Sequence, residues 1–138
     1  MQTGFKEVLA RWQIRPLHFL VLVALSGAGQ LSQQELCLAT HVNSGNMVEL
    51  IDTLERLGYA ERGPDPRDRR RHLVAMTGPG QAAFAAMAAA VDDHTTRFLA
   101  PLSQKEQATL ISALTKLYVT TAEGRGGSPV PEPAGQQP

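Results

Sequence analysis

Five arginines stand within ten residues, Arg62, Arg67, Arg69, Arg70 and Arg71, against Asp65 and Asp68, in a chain whose formal net charge is +0. Guanidinium groups clustered on a turn can bridge phosphates and enter a narrow groove of negative potential. Upstream, Asn43, Ser44, Gly45, Asn46, Val48 and Glu49 bring together side chains that suit base edges. Asn reads adenine, Val meets a thymine methyl, Glu accepts from cytosine, and Gly lets a backbone approach closely. Asn43 and Ser44 are equally suited to capping a helix. Cys37 and His41 lie at i, i+4, but two ligands are too few for a metal, and no metal or other cofactor is expected. Cys37 reads as a small buried helix residue without neighbouring cations to activate its thiol. No Ser-His-Asp order, phosphate-cradling glycine loop or metal set nominates a catalytic residue, so an enzyme is not expected.

The elements that must position these groups are mostly helical. A short helix near Phe5 to Trp12 is separated by Pro16 from a second, Leu17 to Ser26, which Gly27 and Gly29 end. Ser32 with Glu35 forms a capping box that starts a third helix at Gln33. After a turn near His41 and Val42, Asn43 caps a fourth, whose Met47, Leu50, Ile51 and Leu54 recur at i, i+3, i+4, i+7 and so face a core. Val48 and Glu49 then point outward. Gly58 closes that helix, and Tyr59 to Arg62 and His72 to Met76 flank the turn Gly-Pro-Asp-Pro-Arg-Asp as an antiparallel hairpin with Arg67 at its tip. An alanine-rich helix follows from Gln81 to Leu99, with Phe84, Met87, Val91 and Phe98 at helical spacing. Ser103 with Glu106 then caps a final helix carrying Leu110, Ile111, Leu114, Leu117 and Tyr118 on one face.

Helix, turn, helix and basic hairpin is the order of a winged helix-turn-helix, in which the second helix enters the major groove of a DNA duplex and the hairpin reaches the neighbouring groove. The fold class is mainly α with a small β-hairpin: a winged lobe over 31–80, dimerisation helices over 1–30 and 81–122, and a disordered Gly- and Pro-rich tail over 123–138. Terminal helices with apolar faces left uncovered by one small lobe call for a second copy of the chain. With 43% hydrophobic residues, one cysteine and no apolar run of membrane-spanning length, the chain is expected in the cytoplasm and off the membrane.

The stretch from Leu31 to Gly80 resembles the DNA-binding lobe of the MarR family of bacterial regulators. The resemblance is carried by Asp65, Arg69, and the later Thr77 and Gly80 in the pattern Thr-x-x-Gly. It implies a homodimeric transcriptional regulator, a repressor on a pseudo-palindromic operator, with Arg67, Arg69, Arg70 and Arg71 on DNA and Asp65 stiffening the wing by holding Arg69. It also implies relief by a small phenolic or anionic effector at the junction of lobe and dimerisation helices; Trp12, Arg15, His18 and Phe19 stand near that junction with aromatic surface and a cationic rim, and core packing is the competing and favoured reading of the same four residues. Two departures stand out: the first helix is shorter than usual, and Arg15 occupies the N-cap position where Ser or Thr is common. Glu49, Asp52 and Glu55 also leave the fourth helix acidic, with only Arg56 opposing them. That acidity motivates a competing expectation, a winged-helix protein-interaction module without DNA binding.

Overall fold

The computed structural model describes residues 4–123; most of the tail expected over 123–138 lies outside them. The described elements are α1 (Phe5–Ala10), α2 (Pro16–Ala28), β1 (Gln30–Ser32), α3 (Gln33–Thr40), α4 (Ser44–Arg56), β2 (Ala60–Asp65), β3 (Asp68–Met76), α5 (Gly78–Leu99) and α6 (Gln104–Glu123). The chain forms two compact units, divided between Phe98 and Leu99.

Local chemistry sets most boundaries in the first unit. Pro16 occupies the first turn of α2, where its missing N–H is not needed. Arg15 caps that helix without using its side chain; instead the Nδ1 of His18 accepts the Arg15 backbone N–H at 2.9 Å. The helix runs through Gly27 and stops at Gly29, whose φ of 83° is left-handed. Leu22 and Leu25, buried on the last turns, explain why packing carries α2 beyond Ser26. At α3 both arms of the capping box form: Ser32 Oγ accepts from Glu35 N–H at 3.2 Å, and Glu35 accepts from Ser32 N–H at 2.7 Å. That backbone donor is the main reason the Glu35 carboxyl titrates below its ordinary value.

The sheet has the order β1-β3-β2 and is antiparallel throughout. The strand β1 was not expected from sequence: three residues carry no alternation to detect, and it exists only through pairing of Gln30, Leu31 and Ser32 with Ala75, Val74 and Leu73. The hairpin strands are also longer than expected, because the ladder continues to Asp65 opposite Asp68.

The core of this unit gathers Leu9, Ile14, Val21, Leu22, Leu25, Leu36, the α4 stripe Met47, Leu50, Ile51 and Leu54, then Ala60, Val74 and Met87. Each large aliphatic side chain so buried contributes roughly 1.5–3 kcal/mol. Phe19 stacks on Phe84 at 5.7 Å and meets Phe5 edge-on at 6.2 Å, which ties α1, α2 and α5 together. On α5, Met87 is buried and Phe84 and Val91 pack on the core, whereas Phe98 is 67% exposed, beyond the last turn that reaches it.

In the second unit, Ser103 and Glu106 complete their capping box at 3.1 Å in both directions. Gln107 Nε2 closes the preceding turn by donating to the carbonyls of Leu99 and Leu102. Leu110, Ile111, Leu114, Leu117, Tyr118 and Val119 on α6 are all exposed.

Candidate nucleic-acid interface

The helix-turn-helix is built from α3 and α4. His41 turns the chain between them at φ 58°, and Gln33 Nε2 reaches across to the Ser44 carbonyl at 3.4 Å. Asn43 Oδ1 accepts from the Asn46 N–H at 2.9 Å, so Asn43 is the N-cap of α4. Asn43, Ser44, Gly45, Asn46, Val48 and Glu49 are all exposed, while Met47 and Leu50 between them are buried. The helix thus presents one polar face to solvent at its N-terminal end. A Cβ on Gly45 would meet nothing closer than Asn43 Oδ1 at 3.7 Å, so packing does not require glycine there.

The wing is β2, β3 and the two-residue tip Pro66-Arg67. Asp65, 7% exposed, accepts the Arg67 backbone N–H on Oδ1 at 2.9 Å, and Asp68 accepts the Arg70 N–H at 3.0 Å. Asp65 therefore stiffens the tip backbone at Arg67; the expected bond to Arg69 is not formed.

The five arginines divide into two kinds. Arg62 NH2 pairs with Asp52 at 2.8 Å and its NH1 with Glu55, whose second oxygen accepts the Arg62 backbone N–H at 2.9 Å. Arg71 NH2 donates to Ser32 Oγ at 2.9 Å, which ties β3 to the cap of α3. Arg67, Arg69 and Arg70 are exposed, and among the described residues their guanidiniums have neither a hydrogen bond nor an ion pair. Arg69 and Arg70, being neighbours on a strand, leave opposite faces of the hairpin. Arg71, expected on DNA with the other wing arginines, is exposed and commits one guanidinium nitrogen to Ser32. Arg62 was missed as a structural residue, although Asp52 and Glu55 at i, i+3 share a helix face and an arginine follows on the next strand. Two of the three α4 carboxylates that made the helix look acidic are thus masked.

At the junction, His18 is 3% exposed and its Nε2 has no hydrogen-bond partner among the described residues. Burial first, and the Arg15 charge second, hold its pKa below the ordinary 6.5. Of the four residues expected to line an effector site, Arg15 and His18 are joined by a hydrogen bond, Phe19 is engaged with Phe5 and Phe84, and Trp12 lies under the Arg11 guanidinium at 4.8 Å. Cys37 is half-buried, and burial pushes its thiol pKa up, away from thiolate reactivity. Among the described residues no three His, Cys, Asp or Glu side chains are placed to hold a metal, and no helix is long and apolar enough to cross a membrane.

A model of the MarR family matches residues 12–71. Over 110 residues the chain is 34% identical to a protein assigned to regulation of the hcr operon in Thauera aromatica; the match covers 80% of this chain and 66% of that relative, just under two thirds of its length. Among solved structures, a mutant MarR from E. coli complexed with operator DNA is 30% identical with a TM-score of 0.74, over 82% of this chain and 81% of that one. The transcriptional repressor CouR, bound to a 23-mer DNA duplex, is 29% identical with a TM-score of 0.77, over 83% and 81%. With this family match, 30% identity to MarR and a TM-score of 0.74 over most of both chains, the chain belongs to the MarR family of winged-helix transcriptional regulators.

Proposed function

We propose that the chain represses transcription as a cytoplasmic homodimer that binds a pseudo-palindromic DNA operator. The observation that carries the reading is the set of guanidiniums without a partner among the described residues, those of Arg67, Arg69 and Arg70, on a hairpin that follows the exposed polar start of α4. In this reading Asn43, Ser44, Gly45, Asn46, Val48 and Glu49 face base edges in the major groove, and the wing arginines meet phosphates and the minor groove. Arg71 contributes by fixing the wing on Ser32. The exposed apolar stripe of α6 supports a second copy of the chain, and a pseudo-palindromic operator read by such a dimer has half-sites about one helical turn of DNA apart. The acidity that favoured a protein-interaction module is reduced, because Arg62 sets one positive charge against the two carboxylates of Asp52 and Glu55.

Relief of binding by a small phenolic or anionic ligand belongs to the same proposal. The buried Nε2–H of His18 is a donor in need of an acceptor, with Arg15 beside it. The test is selection of binding sites from a random duplex library, followed by titration at several salt concentrations. Arg67→Ala and Arg69→Ala should each weaken binding and lower the slope of log K against log salt by about 0.9. An affinity and slope unchanged in both variants would remove the wing from the interface.

A further inference from the structure

The wing and the recognition helix are joined by a clasp that neither element makes alone. Asp52 and Glu55 lie on one face of α4, and Arg62 on β2 spans both, one terminal nitrogen to each carboxylate. Glu55 is used twice, since its Oε1 accepts the Arg62 backbone N–H. The guanidinium, 25% exposed, has its two terminal nitrogens committed and faces two carboxylates, which leaves it ill-placed to meet a phosphate. Arg62 is paired opposite Val74 in the wing ladder, so it cannot shift without moving the hairpin.

We propose that Arg62 is a positioning residue of the DNA interface: it locks the root of the wing to α4 and masks Asp52 and Glu55, leaving Glu49 as the unmasked carboxylate of that helix. Two consequences for DNA follow. The wing root is held directly to the recognition helix by this side chain, and phosphates approaching α4 meet a net two negative charges from its carboxylates and Arg62 in place of three. A lysine cannot substitute fully, because a single ammonium lacks the two-armed fork that spans both carboxylates.

This inference rests on the DNA-binding reading, and the experiment separates the two. The full chain and its variants are titrated, below the melting temperature of each, with a duplex enriched from the random library and across a salt series. Arg62→Gln should lose about tenfold in affinity, with the salt slope kept within half of one phosphate contact. Adding Asp52→Asn and Glu55→Gln to Arg62→Gln should restore affinity to within about threefold of the parent, since the exposed charges are then gone. A role confined to stability would lower the melting temperature and leave the affinity of the folded protein alone. Should Arg62→Gln fail to fold, Arg62→Lys provides the comparison, with an expected loss of about threefold. Arg62 is instead a direct phosphate ligand if its loss lowers the slope by about 0.9 and the triple variant recovers nothing. Unchanged affinity in Arg62→Gln also overturns the proposal. If the parent chain enriches no sequence and binds no duplex, the functional reading itself falls, and the clasp proposal with it.

Discussion

Replacing Gly80 by alanine tests the packing at the point where the wing hands over to α5. Thr77 N–H donates to the Tyr59 carbonyl at 3.1 Å, Thr77 Oγ1 donates to the Gly58 carbonyl at 2.5 Å, and Gly80 N–H donates to Thr77 Oγ1 at 3.0 Å. A Cβ on Gly80 would lie 1.8 Å from the Tyr59 carbonyl oxygen and 2.7 Å from its carbon, where ordinary contacts begin at 3.4 Å. The obstruction is backbone on both sides, so helix and strand must separate by about 1.5 Å. Overpacking of that kind costs about 1–3 kcal/mol, and the Thr77 to Tyr59 hydrogen bond, worth about 1 kcal/mol, lies across the gap that opens. The gain in helix propensity, just under 1 kcal/mol, offsets part of this. The net expectation for Gly80→Ala is a loss of about 1–3 kcal/mol, read as a lower urea midpoint with an unchanged m-value at fixed protein concentration. Gly78→Ala is the control, because a Cβ there meets nothing within 4 Å, and it should stay within about 0.5 kcal/mol of the parent. Equal midpoints for the two variants would refute the reasoning.

Asp65→Ala should release the Arg67 N–H and loosen the wing tip, with DNA affinity falling about three- to tenfold, whereas Asp65→Asn keeps an acceptor in place and should stay close to the parent; equal losses in a binding titration would show that the charge, and not the hydrogen bond, matters. His18 supplies a pH dependence. Its native pKa lies below 6.5, so below that pH the unfolded chain takes the proton first, and stability falls with pH until the native value is passed and then levels off, at no more than about 1.4 kcal/mol per pH unit. His18→Gln offers an acceptor for the same Arg15 N–H but has nothing to titrate. Melting curves between pH 5 and 7.5, taken as differences from the parent, should therefore lose this component, and an identical slope in both proteins would contradict the assignment.

What the sequence made legible was whatever is decided within one turn of helix. Ser32 with Glu35, Asn43, Ser103 with Glu106, and the stripe Met47, Leu50, Ile51 and Leu54 are local signals, and the structure places each where periodicity and capping chemistry put it. The features that escaped are long-range. The strand β1 exists only because β3 lies beside it, and the bond from Arg71 to Ser32 joins residues 39 apart in sequence. Asp65 accepts the nearest free backbone N–H, at Arg67, and not the side chain of Arg69 four residues away, a choice that residue types alone do not reveal. The motif Thr-x-x-Gly was recognised as a pattern; the close approach of Tyr59 supplies its physical cause.

The central position of β3 gives the wing a mechanical character. Among the described residues, Leu73, Val74 and Ala75 are held by strands on both sides, and from His72 to the tip β3 has β2 as its one strand neighbour. The hairpin is therefore a cantilever rooted at Leu73, with an overhang of about 17 Å at the usual rise per residue. Arg70 and Arg69 sit progressively farther along that overhang, and Arg67 rides at its free end. Bending grows with distance from the root, so the most distal arginine explores the widest arc and the residues near the root the narrowest. Reach is thus set by the number of residue pairs beyond Leu73, and stiffness by the three-residue strand at the root together with the Arg71 bond to Ser32 and the Arg62 clasp on α4.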